Sequence, residues 1–85
     1  MAADIEKAKR SLAANVKALR SQIGLSQEAL ALSADVDRTY VSQIERAIGN
    51  PSLGILCRLA SILDVEPWTL IREPAIREPV RRRKS

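Results

Sequence analysis

Arg38, Thr39, Ser42, Gln43 and Arg46 fall on one side of a helical projection at spacings of one, three and four, with Val41 and Ile44 on the other side. A guanidinium, an amide and two hydroxyls are groups that pair with nucleic-acid base edges and phosphates. Arg matches guanine O6/N7, Gln matches adenine N6/N7, and Ser or Thr matches either. Spacing alone leaves a second reading open, since most polar helix faces are simply solvated. Other chemistries are harder to build. The chain has no His and one Cys, Cys57, which excludes a His general base, a Cys/His zinc site and an internal disulfide. Gly24, Gly49 and Gly54 are scattered, without the spacing of a phosphate-cradling loop. Ser and Lys alone give no nucleophile with a recognisable base. Neither an enzyme nor a metal or cofactor is expected.

The polar face needs helices to hold it. Leu12, Val16, Leu19 and Ile23 recur at steps of four, three and four, and Gly24 supplies a stop, which predicts a first helix over residues 11–23. Ser26 is an N-cap with Glu28 in the first turn, and Leu25 and Leu30 are spaced as a hydrophobic staple. A short second helix follows to about Ser33. Asp37 caps a third over residues 38–46, with Val36 and Val41 repeating the staple. Two capped helices separated by about three residues make a helix-turn-helix. Asn50 or Ser52 caps a fourth helix, with Pro51 suited to its first turn. Its core stripe is Leu53, Leu56, Cys57, Ala60 and Leu63, widened by Ile55, Leu59 and Ile62, so the helix is expected at the centre of the fold and Cys57 as a buried small hydrophobe. Pro67 opens a fifth, short helix containing Trp68, Leu70 and Ile71. Two prolines, Pro74 and Pro79, and the run Arg81 to Lys84 then predict an extended basic tail.

Length and charge are consistent with one small all-α domain. Of 85 residues, 46% are hydrophobic and 28% charged, a balance that excludes a disordered composition. The 14 basic side chains against 10 acidic ones give +4, a sign that suits an anionic partner. The excess sits in the tail: residues 1–70 hold eight of each sign, and residues 71–85 hold six basic against two acidic. A neutral domain with Arg38 and Arg46 on one polar face is therefore the better indication of where an anion binds. No apolar run is long enough to span a bilayer, and the first residues lack the order of a secretory signal. A soluble, cytoplasmic protein without membrane contact is expected.

Arg20, the stretch Gly24-Leu25-Ser26-Gln27-Glu28-Ala29-Leu30-Ala31, then residues 37–46 and Asn50-Pro51-Ser52-Leu53 resemble the DNA-binding domain of Cro and CI-type phage repressors. More broadly the chain is similar to XRE-like regulators, including the small controller proteins of restriction-modification systems. The resemblance covers about residues 12–71. It implies an all-α, five-helix phage-repressor-like domain over residues 11–71. Residues 1–10 then form an N-terminal arm or the start of the first helix, and 72–85 the tail.

It also implies roles. The third helix enters the major groove, with Arg38, Thr39, Ser42 and Gln43 reading bases. Gln27 and the turn around Ser26 contact a phosphate, as a helix N-terminus favours, and Tyr40 and Arg46 flank the groove on phosphates. Ser26 has a competing role as a cap, and Tyr40 one as a half-buried aromatic. Arg20 and Glu45 form a structural ion pair. Two positions depart from the family pattern, with Asp35 and Ala47 where Gly is usual; Asp tolerates the left-handed conformation, and Ala47 leaves the loop before the fourth helix open, with Ile48 exposed. Double-stranded DNA is the expected partner of a prokaryotic or phage transcription regulator, repressor or activator, held on the nucleoid through DNA. A homodimer on a pseudo-palindromic operator is expected, its surface formed by Trp68, Leu70 and Ile71. The alternative is an antitoxin-like module that binds a partner protein and uses DNA to regulate its own promoter.

Overall fold

The computed structural model describes residues 4–74, and these form five helices: α1 (Ile5–Gln22), α2 (Gln27–Ala34), α3 (Arg38–Glu45), α4 (Leu53–Leu63) and α5 (Pro67–Ile71). The basic run Arg81 to Lys84 lies outside them. Each helix start is set locally. The Asp4 carboxylate accepts from the amides of Glu6 and Lys7, Ser26 Oγ from Ala29, Asp37 from Thr39 and Ser52 Oγ from Ile55, while Pro67 opens α5. Ser52, rather than Asn50, is thus the cap of α4.

Four helices also end alike. At the end of α1 the Leu25 amide returns to the Arg20 carbonyl and the Gly24 amide to Ser21. The same pair of returns closes α2 around Asp35, α3 around Ala47 and α4 around Asp64. These are Schellman closures, which need one left-handed residue. Gly24 has φ +77°, but Asp35, Ala47 and Asp64 hold φ of 59°, 63° and 62° with a Cβ in place. Asp accepts this conformation better than most side chains; Ala47 has no polar group to offset it.

Packing follows a ring. α1 lies against α3 and α5, α2 against α3 and α4, and α4 against α5. The closed order α1, α3, α2, α4, α5 surrounds one aliphatic core, with Val16, Leu30, Val41, Ile44, Leu59 and Leu70 at its centre. Each fully buried Leu or Ile contributes about 1.5–3 kcal/mol of transfer free energy. No helix occupies the middle alone, so α4 is one member of the ring rather than its axis.

Several expectations need correction. α1 begins at Ile5, six residues before the predicted start, so of the two alternatives for the first residues, residues 5–10 are the start of the first helix and not an arm. Ala8 and Ile5 continue the apolar repeat backward from Leu12 by steps of four and three, and Asp4 supplies the cap. On α4 the buried stripe is Leu56, Leu59, Ala60 and Leu63. Leu53 is 77% exposed and Cys57 is exposed. A helix apolar around most of its girth carries two overlapping stripes, and contact with α2 on one flank and α5 on the other selects the one containing Leu59.

Candidate nucleic-acid interface

α3 is anchored from below and at both ends. Val41 and Ile44 are at most 1% exposed, which turns Arg38, Thr39, Gln43 and Arg46 to solvent and leaves Ser42 half-buried. Its N-terminus is fixed by Asp37 Oδ1, which accepts from the Thr39 amide at 3.0 Å. At its C-terminus the carbonyl of Gln43 accepts the amides of Ile48 and Gly49. Gly49 is buried there, and a Cβ on it would stand 3.3 Å from both the Ile44 side chain and backbone nitrogen, so the loop lies as close to α3 as a glycine permits. Among the described residues, none of the side chains of Arg38, Thr39, Ser42, Gln43 or Arg46 has a hydrogen-bond or ion-pair partner within the chain. Their donors and acceptors are available to something outside it.

At the start of α2 the geometry differs. Ser26 Oγ takes the Ala29 amide at 3.0 Å, which commits the hydroxyl to capping and leaves the first-turn amides of Gln27 and Glu28 for an anion. Gln27 is half-buried, and its Nε2 donates to Glu45 Oε1 at 3.0 Å. One amide proton of Gln27 is thereby used and the second remains. Tyr40 is half-buried and packs partly against the core.

Beneath this surface lies a second polar group. Arg20 Nε donates to Glu45 Oε2 at 2.6 Å, Nη2 to Glu45 Oε1 at 2.9 Å, and Nη1 to the Leu25 carbonyl at 2.8 Å. The fork ties together the end of α1, the turn into α2 and the end of α3. Side-chain exposure is 16% for Arg20 and 2% for Glu45. Burial pushes the Glu45 carboxyl up, but hydrogen bonds from Arg20 and Gln27 and the charges of Arg20 and Lys17 outweigh it and hold it below the usual range. The same hydrogen bond raises Arg20 against the opposing effect of desolvation.

The α5 face divides. Leu70 is fully buried and belongs to the core, so it cannot line an interface with a second copy; Trp68 and Ile71 are 63% and 43% exposed. α5 is also held by Asn15, a residue the sequence reading passed over. Its Nδ2 reaches the carbonyls of Thr69, Leu70 and Arg72 at 3.1, 2.9 and 2.8 Å. An Asn in mid-helix with a weak intrinsic preference for that position was the available signal.

The HTH_3 helix-turn-helix family model matches residues 16–67, the stretch that carries α2, α3 and α4. A hypothetical transcription factor of Neisseria meningitidis serogroup B is 40% identical over 63 residues, covering 74% of this chain and 59% of that protein. The chain therefore spans less than two thirds of that relative's length. Among solved structures, the restriction-modification controller protein C.AhdI of Aeromonas hydrophila superposes with a TM-score of 0.70 at 40% identity, covering 73% of this chain and 94% of that one. SinR in complex with DNA gives 0.69 at 35% identity, with coverage of 72% and 98%.

Proposed function

Because the chain belongs to the HTH_3 helix-turn-helix family, we propose that it is a sequence-specific DNA-binding transcription regulator that places α3 in the major groove. The observation that carries this reading is the outer row of α3, unpartnered among the described residues, set beside the open first-turn amides of Gln27 and Glu28 on α2. Arg38, Thr39 and Gln43 read bases from the exposed side, and half-buried Ser42 contributes its hydroxyl from the edge of that side. The amides of Gln27 and Glu28, the free Gln27 proton and Arg46 hold phosphates and fix the register. Ser26 acts on this anion site through the helix it caps, and Tyr40 through packing with its hydroxyl at the groove edge. The family and its relatives, including a SinR structure solved with DNA, support the DNA-binding reading.

One module reads only a few base pairs. A homodimer with recognition helices roughly 34 Å apart gives the span of a pseudo-palindromic operator, and the exposed pair Trp68 and Ile71 is the surface proposed for it. Sedimentation at tens of micromolar checks the dimer, and one protomer per operator excludes it. The base-reading assignment is tested by selecting bound duplexes from a random library with wild type, Arg38→Ala and Gln43→Ala. Loss of preference at one base position per variant supports direct readout. Uniform weakening across all sequences moves those side chains to phosphates, and retention of the full preference removes them from the interface.

A further inference from the structure

Beside the C-terminal end of α3, a surface groove of about 610 Å³ runs along α1. Its floor is made of small side chains, Ala13, Ala14, Ala18 and Ala47, and its rim carries Arg10, Lys17 and Arg46. Glu45 is the one carboxylate lining it, and that group is already engaged by Arg20 and Gln27. Arg10, Lys17 and Arg46 make no ion pair among the described residues, and the carboxylate lining the groove with them is already shared with Arg20. Arg10 and Lys17 lie seven residues apart on one face of α1, about 10 Å along the helix axis. Arg46 belongs to both surfaces: it ends the outer row of α3 and begins this groove.

We propose that the DNA contact does not stop at the helix-turn-helix, and that the phosphate backbone leaving the major groove at Arg46 continues along this groove past Lys17 toward Arg10. Two observations favour a nucleic-acid strand as the occupant. The groove is continuous with the reading face through Arg46, and its lining is net positive, three cations against the Glu45 carboxylate that Arg20 already engages. The small floor matters because it lets a sugar-phosphate strand approach the helix while the long cationic side chains close over its oxygens. Lys17, one turn before the end that meets α2 and α3, makes the nearer contact, and Arg10 the farther one. The inference rests on the DNA-binding reading above and extends its footprint.

The test is the salt dependence of affinity for a duplex carrying the selected site with about ten flanking base pairs on each side. Wild type is compared with the double variant Lys17→Ala/Arg10→Ala and, as a control off the groove, with Lys9→Ala, whose charge pairs with Glu6. Alanine keeps α1 helical, and matching circular dichroism spectra and melting curves show that it does. The expected result is a slope of log K against log[salt] smaller by about 1 to 2 in the double variant, at ~0.9 per phosphate contact, with base preference retained and the control unchanged. An unchanged slope overturns the proposal while leaving the reading by α3 intact. If the slope is unchanged and the double variant also loses affinity for a glutamate-rich helical peptide that wild type binds, the groove belongs to an acidic protein partner. Failure of the wild type itself to select any duplex would instead sink the DNA-binding reading.

Discussion

The outer row of α3 and the cluster beneath it are built from overlapping side-chain types: Arg38, Arg46 and Gln43 above, Arg20, Gln27 and Glu45 below. They differ in burial and therefore in purpose. Below, the Arg and Gln donors converge on a carboxylate that is 2% exposed, and losing one partner strands the other in low dielectric. Above, the same donor types find no partner among the described residues and are exposed. On the function proposed here, the contrast would separate residues whose loss unfolds the domain from residues whose loss impairs base reading. It also explains why a motif match cannot by itself sort an Arg or Gln into one group or the other.

The comparison is broken most severely at Glu45. Glu45→Ala leaves the guanidinium of Arg20 without its fork, and we expect a loss of about 3 kcal/mol in unfolding free energy, read by urea denaturation, with DNA binding falling only as the folded fraction falls. A folded Glu45→Ala protein that no longer binds DNA would transfer Glu45 to the interface. On the upper surface, Arg38→Ala should leave the denaturation midpoint within error. It should cost about 1–3 kcal/mol of discrimination at one base pair, measured by competition between single-position operator variants.

Ala47 stands between the two regions, where α3 closes. Its φ of +63° is one that glycine holds without a Cβ clash, so Ala47→Gly should raise stability by about 1 kcal/mol and shift the thermal midpoint upward. Equivalent changes at Asp35 and Asp64 should gain less, because Asp already tolerates the conformation. A drop in midpoint for Ala47→Gly would mean that the alanine methyl packs usefully against the end of α1.

The smallest expected effect is on acid stability. Glu45 titrates lower in the folded chain than its ordinary value of 4.5, so protons bind more readily to the unfolded state. The contribution of the cluster is therefore complete above that value and is lost as pH falls through the lower, folded-state value. Unfolding free energy should decline on acidification below about pH 4.5, and Glu45→Gln should remove part of that decline. An identical pH profile in the variant would place the acid sensitivity elsewhere.

Much of the architecture was legible because it is written in short-range terms. Ser26, Asp37 and Ser52 announce helix starts by hydrogen bonds to amides two or three residues on, and the αL stops at Gly24 and Asp35 follow from local conformational preference. The polar row of α3 could be read from spacing alone. The opening turns of α1 were left open between an arm and the start of the helix although Ile5 and Ala8 continue its repeat, since a largely polar stretch from Glu6 to Ser11 masked the signal. Cys57, Leu53 and Leu70 were misplaced for a different reason. Each sits on a helix apolar around much of its circumference, where periodicity offers more than one inward face.

What the sequence determined by itself, then, is the set of helices, their caps and the chemical character of the reading row, all consequences of contacts within one or two turns. What only the tertiary structure decided is which polar groups are consumed inside. The ring of five helices brings Arg20, Gln27 and Glu45 together from positions up to 25 residues apart. It also anchors α5 on Asn15 across 54 to 57 residues, and it buries Leu70 while leaving Trp68 in water. Burial is a property of the packed assembly, and burial is what determines whether a guanidinium or an amide serves as mortar or remains free for DNA.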